Sequence, residues 1–334
     1  MRVGLAGAGR IGAMHASVLA ALDGADEVVV ADVDTTRAAQ VAEPLGLTAA
    51  AGVDELLAPG RVDALVVATS TDSHPKLVLA AADAGLPVFV EKPVAADIAG
   101  TLDVMAALEG TDAIVQVGYQ RRFDPGYLAA REAVRSGELG WIHKLRSCTL
   151  DPGPPTPAYI ASSGGFFRDC AVHDIDSIRW ITGHEVVSVY AVGVNRGDEF
   201  FATYGDVDTL TALLTLDDDT LATVSCTRYN AAGYDVRLEV LGSAGSVSVG
   251  LDDRTPLRST ESGVPFPAGP AYPMFPERFA AAYAAELTAF LTLARDGGRS
   301  PCTPADALEA FYVAEAGELS RRESRPVAIS EVRR

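Results

Sequence analysis

Gly7-Ala8-Gly9-Arg10-Ile11-Gly12 follows directly on the apolar run at residues 2–6 and leads into helical periodicity at 11–22. A G-x-G-x-x-G spacing alone says little, but between a strand and a helix it leaves few folds open. The first glycine permits a tight turn, the second lets backbone approach a pyrophosphate, and the third lets the helix pack on the strand. The helix start, beside Arg10 and Ile11, then presents N–H groups and a positive dipole end to phosphates. Asp32 lies 20 residues beyond Gly12, at the end of the second apolar run. A carboxylate there hydrogen-bonds an adenosine ribose and repels a 2′-phosphate, so NAD is expected in preference to NADP. Arg37 is the nearby cation that could serve such a phosphate instead.

Strand-like and helical patterns alternate through the first 118 residues. Strands are expected at 2–6, 27–31, 62–68, 87–90 and 113–117, with helices at 11–22, 35–43, 74–84 and 97–108. The strands are continuous apolar runs, as in a parallel sheet covered on both faces. The expected fold class is α/β, with residues 1–118 a doubly wound Rossmann domain. The turn Thr69-Ser70 with His74 ends one strand, and Glu91-Lys92 ends the next. Ligands of such sheets bind at the carboxyl ends of strands, so Thr69, Ser70, His74, Glu91 and Lys92 join the cofactor candidates. For His74, a plain helix start is a compatible reading.

The pattern changes after Gly118. A helix is expected at 124–136, a strand at 141–150, a Pro/Gly-rich stretch at 151–165 and a helix at 169–181. Strands follow at 186–194, 207–216, 221–228, 236–241 and 246–249, several of them alternating, which suits an antiparallel sheet with one open face. A long loop at 252–276 and helices at 277–294 and 304–320 complete the chain. Residues 119–334 are thus expected to form an α+β substrate-binding and oligomerisation domain with a large, mostly antiparallel open sheet. A C-terminal helix is a candidate to pack back on the first domain.

The net charge of −18 argues against nucleic-acid and anionic-membrane partners, which need clustered cations. No run approaches the roughly 18 apolar residues of a membrane helix. The opening residues run straight into a strand and leave no room for a signal peptide. Four scattered cysteines without a Cys-x-x-Cys pair read as free thiols, so a cytoplasmic location is expected.

Two features point to proton chemistry. Only three lysines stand against twenty-four arginines, and one of them is Lys92 in Glu91-Lys92-Pro93. Lys, unlike Arg, can give up its proton when crowded or buried. Asp169 and His173 are four apart, on one face if the segment is helical. Asp can orient such a His and raise its basicity, which suits a general base. The same spacing could hold a metal, but no further ligands follow at recognisable spacing, so no metal is expected. A solvated acidic helix start, with Asp174 and Asp176 following, is the competing reading.

These motifs together resemble the glucose-fructose oxidoreductase/inositol dehydrogenase/rhizopine-catabolism (Gfo/Idh/MocA) family over nearly the whole chain. The resemblance rests on the glycine turn, Ala68-Thr69 with His74, Glu91-Lys92-Pro93, Tyr119-Gln120-Arg121-Arg122-Phe123-Asp124, and Gly164-Gly165 leading to Asp169 and His173-Asp174-Ile175-Asp176. Asp151 to Pro155, Tyr159 and Gly233-Tyr234-Asp235-Val236-Arg237 look most like its inositol 2-dehydrogenase branch. The resemblance implies that Lys92 hydrogen-bonds the reacting hydroxyl, His173 takes its proton, and Asp169 orients the imidazole and the substrate. It implies Arg122, Asp151 and Tyr234 as ligands of other hydroxyls, and a cis peptide before Pro93. It implies oxidation of a cyclic polyol, foremost myo-inositol, with NAD, by a homodimer or tetramer. Another sugar or epimer (scyllo-inositol, an aldose, an anhydrosugar) is the alternative substrate. A non-catalytic NAD-binding regulator is the alternative class.

Overall fold

The computed structural model describes residues 1–333 except Pro265, Phe266 and Ala268. The chain divides into two compact units: Met1–Phe123 with Ala280–Leu308, and Asp124–Phe279 with Glu309–Arg334.

The first unit carries a six-stranded sheet in the order β3-β2-β1-β4-β5-β6. Its strands are β1 (Arg2–Ala6), β2 (Glu27–Ala31), β3 (Thr48–Ala49), β4 (Ala64–Val67), β5 (Val88–Glu91) and β6 (Val115–Gly118). Every pairing is parallel, and the strand order reverses between β1 and β4. The intervening helices are α1 (Arg10–Ala21), α2 (Thr35–Ala42), α3 (Val53–Leu56), α4 (His74–Asp83) and α5 (Ile98–Leu108). Val3, Leu5, Val28, Val30, Val66 and Phe89 form a buried core with Leu19 of α1 and with Leu287, Phe290 and Leu291 of the helix Ala280–Asp296. That distant helix therefore completes one face of this sheet. The short strand β3 and helix α3 lie in a stretch too brief and too polar to show periodicity.

The second unit is built on a seven-stranded sheet ordered β12-β11-β7-β10-β9-β8-β13. The strands are β7 (Ile142–Leu150), β8 (Val186–Val194), β9 (Thr209–Leu216), β10 (Leu221–Thr227), β11 (Asp235–Gly242), β12 (Ser246–Val249) and β13 (Val327–Ala328). Pairing is antiparallel except between β7 and β10. Between those two strands the chain passes through α7 (Pro157–Ser162), a π-helical turn (Phe167–Ala171) and α8 (Val172–Thr182), and then through β8 and β9. Such a crossover allows a parallel neighbour where a hairpin could not. Helices α6 (Pro125–Arg135) and α8 pack on one sheet face over Leu145, Val224, Leu238 and Val240.

The opposite face alternates outward. It shows Tyr190, Val192 and Leu213, but also Thr211, Ser225 and an Arg146–Glu239 ion pair across β7 and β11 at 3.0 Å. It is more polar than a bare apolar sheet face. Within the expected loop 252–276, Pro265, Phe266 and Ala268 lie outside the described residues, and its last two residues begin a short helix at Phe275–Arg278.

Candidate functional site

The glycine turn is shaped by close approach of backbone. Gly7 sits at φ +101°, and a Cβ there would lie 2.4 Å from the Ala68 carbonyl oxygen. A Cβ on Gly12 would lie 1.9 Å from the Gly7 carbonyl oxygen. Gly9, at the N-cap of α1, has open space where its Cβ would be. The outer glycines are thus demanded by the protein's own packing, and the middle one leaves room for a ligand. The N–H groups of a helix's first turn have no carbonyl within the helix to meet.

Asp32 is buried at the end of β2, accepting from Ala8 N–H at 2.7 Å and Asp34 N–H at 2.9 Å. These bonds fix its carboxylate beside the glycine turn. Arg37 is drawn to carboxylates, 3.7 Å from Asp32 and 3.4 Å from Asp34. A 2′-phosphate would have to compete with both for that guanidinium. The residues therefore fit NAD: open space at Gly9, a helix start for the pyrophosphate and a fixed carboxylate for the ribose.

Thr69 and Ser70 lie just after β4. The Thr69 hydroxyl pairs with that of Ser73 at 2.6 Å. His74 is buried at the start of α4, with Nδ1 2.8 Å from the Pro93 carbonyl oxygen and Nε2 3.2 Å from that of Thr69. It ties the loop after β4 to the loop after β5, so its ring acts on backbone. The Lys92–Pro93 peptide is cis, and Lys92 is half-buried just beyond β5.

Glu91 is turned inward. Its carboxylate meets Nε2 of the fully buried His15 at 2.6 Å. The His15 ring stands edge-on to Phe89 and Tyr283. Close by, Glu286 is wholly buried, and the side-chain amide of Gln116 donates to its backbone oxygen at 3.2 Å. Burial, and then the charge of Glu91, push the Glu286 carboxyl well above its ordinary value of 4.5. The carboxylate of Glu91, a cofactor candidate, is thus engaged by an imidazole of α1. Glu286 escaped the sequence reading, although a lone acid in the apolar run Ala280 to Ala294 was its visible trace.

Arg122 is buried too. It donates to the Pro301 carbonyl at 2.9 Å and stands 3.7 Å from Asp306. This engagement within the first unit is one a hydroxyl ligand would have to share.

In the second unit the segment expected to be one helix opens with a π-helical turn. Asp169 lies inside it and His173 lies at the start of α8. A π-turn carries more residues per turn than an α-helix, and a four-residue spacing across it still leaves the two positions near one face. The carboxylate of Asp169 accepts from the Tyr159 hydroxyl at 2.7 Å and from Arg228 at 2.6 Å. Arg228 also donates to Asp151 at 2.7 Å and stacks over the Phe166 ring. Burial works against the charge of Arg228, but the charges of Asp169 and Asp151 outweigh it and hold the guanidinium firmly protonated. One buried cation thus joins two of the expected site carboxylates. Tyr234 is buried where the chain enters β11, with its backbone N–H bonded to the Tyr272 carbonyl at 2.9 Å.

The reading of a solvated acidic helix start is overturned. Asp174 and Asp176 are both buried. Asp174 accepts from the Ser147 hydroxyl and, at 2.7 Å, from that of Thr149, which anchors α8 to β7. Among the described residues, the grouping with metal-like spacing is His184, Asp217 and Asp218 at the sheet edge. Its two aspartates are exposed, and the imidazole nitrogens face those same two carboxylates.

Residues 1–119 match a family model described as an oxidoreductase family with an NAD-binding Rossmann fold, and residues 127–248 match the GFO/IDH/MocA C-terminal domain. The chain is 40% identical over 325 residues to a myo-inositol dehydrogenase, Hyg17, of Streptomyces leeuwenhoekii, covering 96% of this chain and 97% of the relative. It is also similar to the crystal structure of a myo-inositol dehydrogenase from Corynebacterium glutamicum (TM-score 0.89, 34% identity, 98% of both chains). A scyllo-inositol dehydrogenase from Lactobacillus casei with bound NAD(H) and scyllo-inositol aligns with TM-score 0.88 and 28% identity, over 99% of both chains.

Proposed function

The chain belongs to the GFO/IDH/MocA family of NAD-binding oxidoreductases, and from that premise we propose that it oxidises a secondary hydroxyl of a cyclic polyol, foremost myo-inositol to 2-keto-myo-inositol. The observation that carries this reading is the joined carboxylate site of Asp151 and Asp169, four residues ahead of His173. Such a site offers acceptors to a polyol's hydroxyls beside a candidate base.

In this reading Lys92 donates a hydrogen bond to the reacting hydroxyl and fixes its position. His173 accepts the hydroxyl proton as general base. Asp169, ion-paired with Arg228, favours the imidazolium that forms. Asp151 and Tyr234 bind further hydroxyls. Bound NAD supplies the acceptor for the hydride leaving the same carbon. The proton and the hydride together account for the two hydrogens lost as the alcohol becomes a ketone.

Scyllo-inositol is the second reading, supported by likeness to a scyllo-inositol dehydrogenase over almost the full chain. The two epimers differ at the reacting carbon, and one hydrogen bond decides between them. A homodimer or tetramer formed through the open sheet face of the second unit is part of the proposal, supported by Tyr190, Val192 and Leu213 on that face. So is a cytoplasmic location, supported by four free cysteines; no described helix is long and apolar enough to cross a membrane.

The test is NADH formation from NAD, and NADPH from NADP, with myo-, scyllo- and D-chiro-inositol, glucose, xylose and levoglucosan. Turnover with NAD on myo-inositol is the expected result. Turnover confined to another sugar moves the substrate to that sugar. Bound NAD with no turnover on any of them contradicts the enzyme reading.

A further inference from the structure

Arg228 has no counterpart among the residues that the sequence singled out. It follows the last residue of β10, and its side chain is only 6% exposed. Its fork reaches two carboxylates that are 18 residues apart in the chain, Asp151 at 2.7 Å and Asp169 at 2.6 Å. Its backbone N–H bonds the Asp208 carbonyl at 2.8 Å, and the Phe166 ring supports the guanidinium from below. Asp169 is completed by the Tyr159 hydroxyl.

We propose that Arg228 is the positioning residue of this active site: it fixes Asp151 and Asp169 as one paired anion and so sets both polyol placement and the basicity available to His173. The inference rests on the polyol-dehydrogenase reading above. Two carboxylates sharing one buried cation stay ionised together, whereas without it one would take up a proton. A planar fork can bridge two acceptors at fixed angles, and an ammonium cannot. The groups facing the guanidinium are Asp151 after β7, Asp169 and Cys170 in the π-turn, and Asp206, which acts on Arg228 from the segment before β9. Among these, Asp151 and Asp169 are the carboxylates that meet the guanidinium directly, at 2.7 and 2.6 Å.

The sign follows from this arrangement. Removing the cation raises the carboxyl pKa values, so the acid limb of activity moves to higher pH. Retaining the cation while losing the fork lowers the rate and leaves that limb in place. Arg228→Ala and Arg228→Lys separate the two effects, with kcat/KM measured against pH for whichever inositol the wild-type protein oxidises. In Arg228→Ala the expected result is a loss of about 10²-fold, the scale of a 1 Å misplacement of reacting groups. Its acid limb shifts upward, and millimolar guanidinium restores part of the rate. In Arg228→Lys the expected result is reduced kcat/KM with the limb unmoved. NAD affinity and the circular dichroism spectrum serve as controls for folding. A folded Arg228→Ala with a wild-type pH profile and no response to guanidinium overturns the inference. If Arg228→Ala does not fold, wild-type kcat/KM in Arg228→Lys overturns it. Inactivity of the wild-type protein on every inositol would instead count against the function reading, so the two failures are distinguishable.

Discussion

The cofactor turn of the first unit and the carboxylate site of the second are assembled in opposite ways. The turn is local: three glycines within six residues, a helix start and one aspartate on the adjoining strand. Backbone sterics dictate it, because a Cβ at Gly7 or Gly12 would collide with a carbonyl oxygen. The carboxylate site is long-range and electrostatic. Asp151, Tyr159, Asp169 and Arg228 come from the end of one strand, a short helix, a π-turn and the end of another strand. A local steric motif announces itself by spacing. A site held by a shared buried charge shows in sequence only as scattered residues.

The largest effects should separate chemistry from cofactor binding. His173→Ala should lower kcat by about 10²–10⁴-fold if His173 is the general base. Lys92→Ala should lower kcat far more than it weakens NAD, as measured by turnover and by fluorescence titration. Near-normal turnover in both variants would dissolve the contrast between the two regions. Asp32→Ala should act on the other side of it. Losing a carboxylate that also orders Ala8 and Asp34 should weaken NAD binding by about 10–100-fold, the scale of a charged hydrogen bond of about 1.5–3 kcal/mol. Unchanged kcat at saturating NAD would sharpen the division of labour.

Gly12→Ala tests the steric account directly. Its Cβ meets backbone and not a movable side chain, so a loss of about 1–3 kcal/mol of stability is expected in denaturant unfolding. The smallest effect concerns Glu286. Its folded pKa is raised, so between 4.5 and that higher value the folded state binds more protons than the unfolded one. Its contribution to stability is therefore present at low pH and is lost as pH rises through the raised value. Glu286→Gln should flatten that decline and raise Tm at pH 7–8, at about 2–4 °C per kcal/mol recovered. A Tm equal to wild type across that pH range would show that the buried acid carries no such cost.

Much of the fold was legible because each level of the sequence agreed with the next. Continuous apolar runs marked the parallel strands, and alternating runs such as Thr209–Leu216 marked the open sheet. What stayed hidden were features set by distant partners. Nothing local makes β10 parallel to β7, since the crossover decides it. Nothing local turns residues 167–171 into a π-helix. Arg228 reads as the polar end of a strand, and its meaning lies in Asp151, 77 residues earlier. His15, Glu91 and Glu286 likewise gain their significance only once the helix Ala280–Asp296 joins the first unit.

The most direct test is to follow deuterium from myo-inositol labelled at carbon 2 during oxidation with NAD. The account predicts that the label appears in the reduced cofactor, with 2-keto-myo-inositol as product, and that both are lost in His173→Ala. Reduced cofactor without deuterium, or label retained in the product, would contradict it.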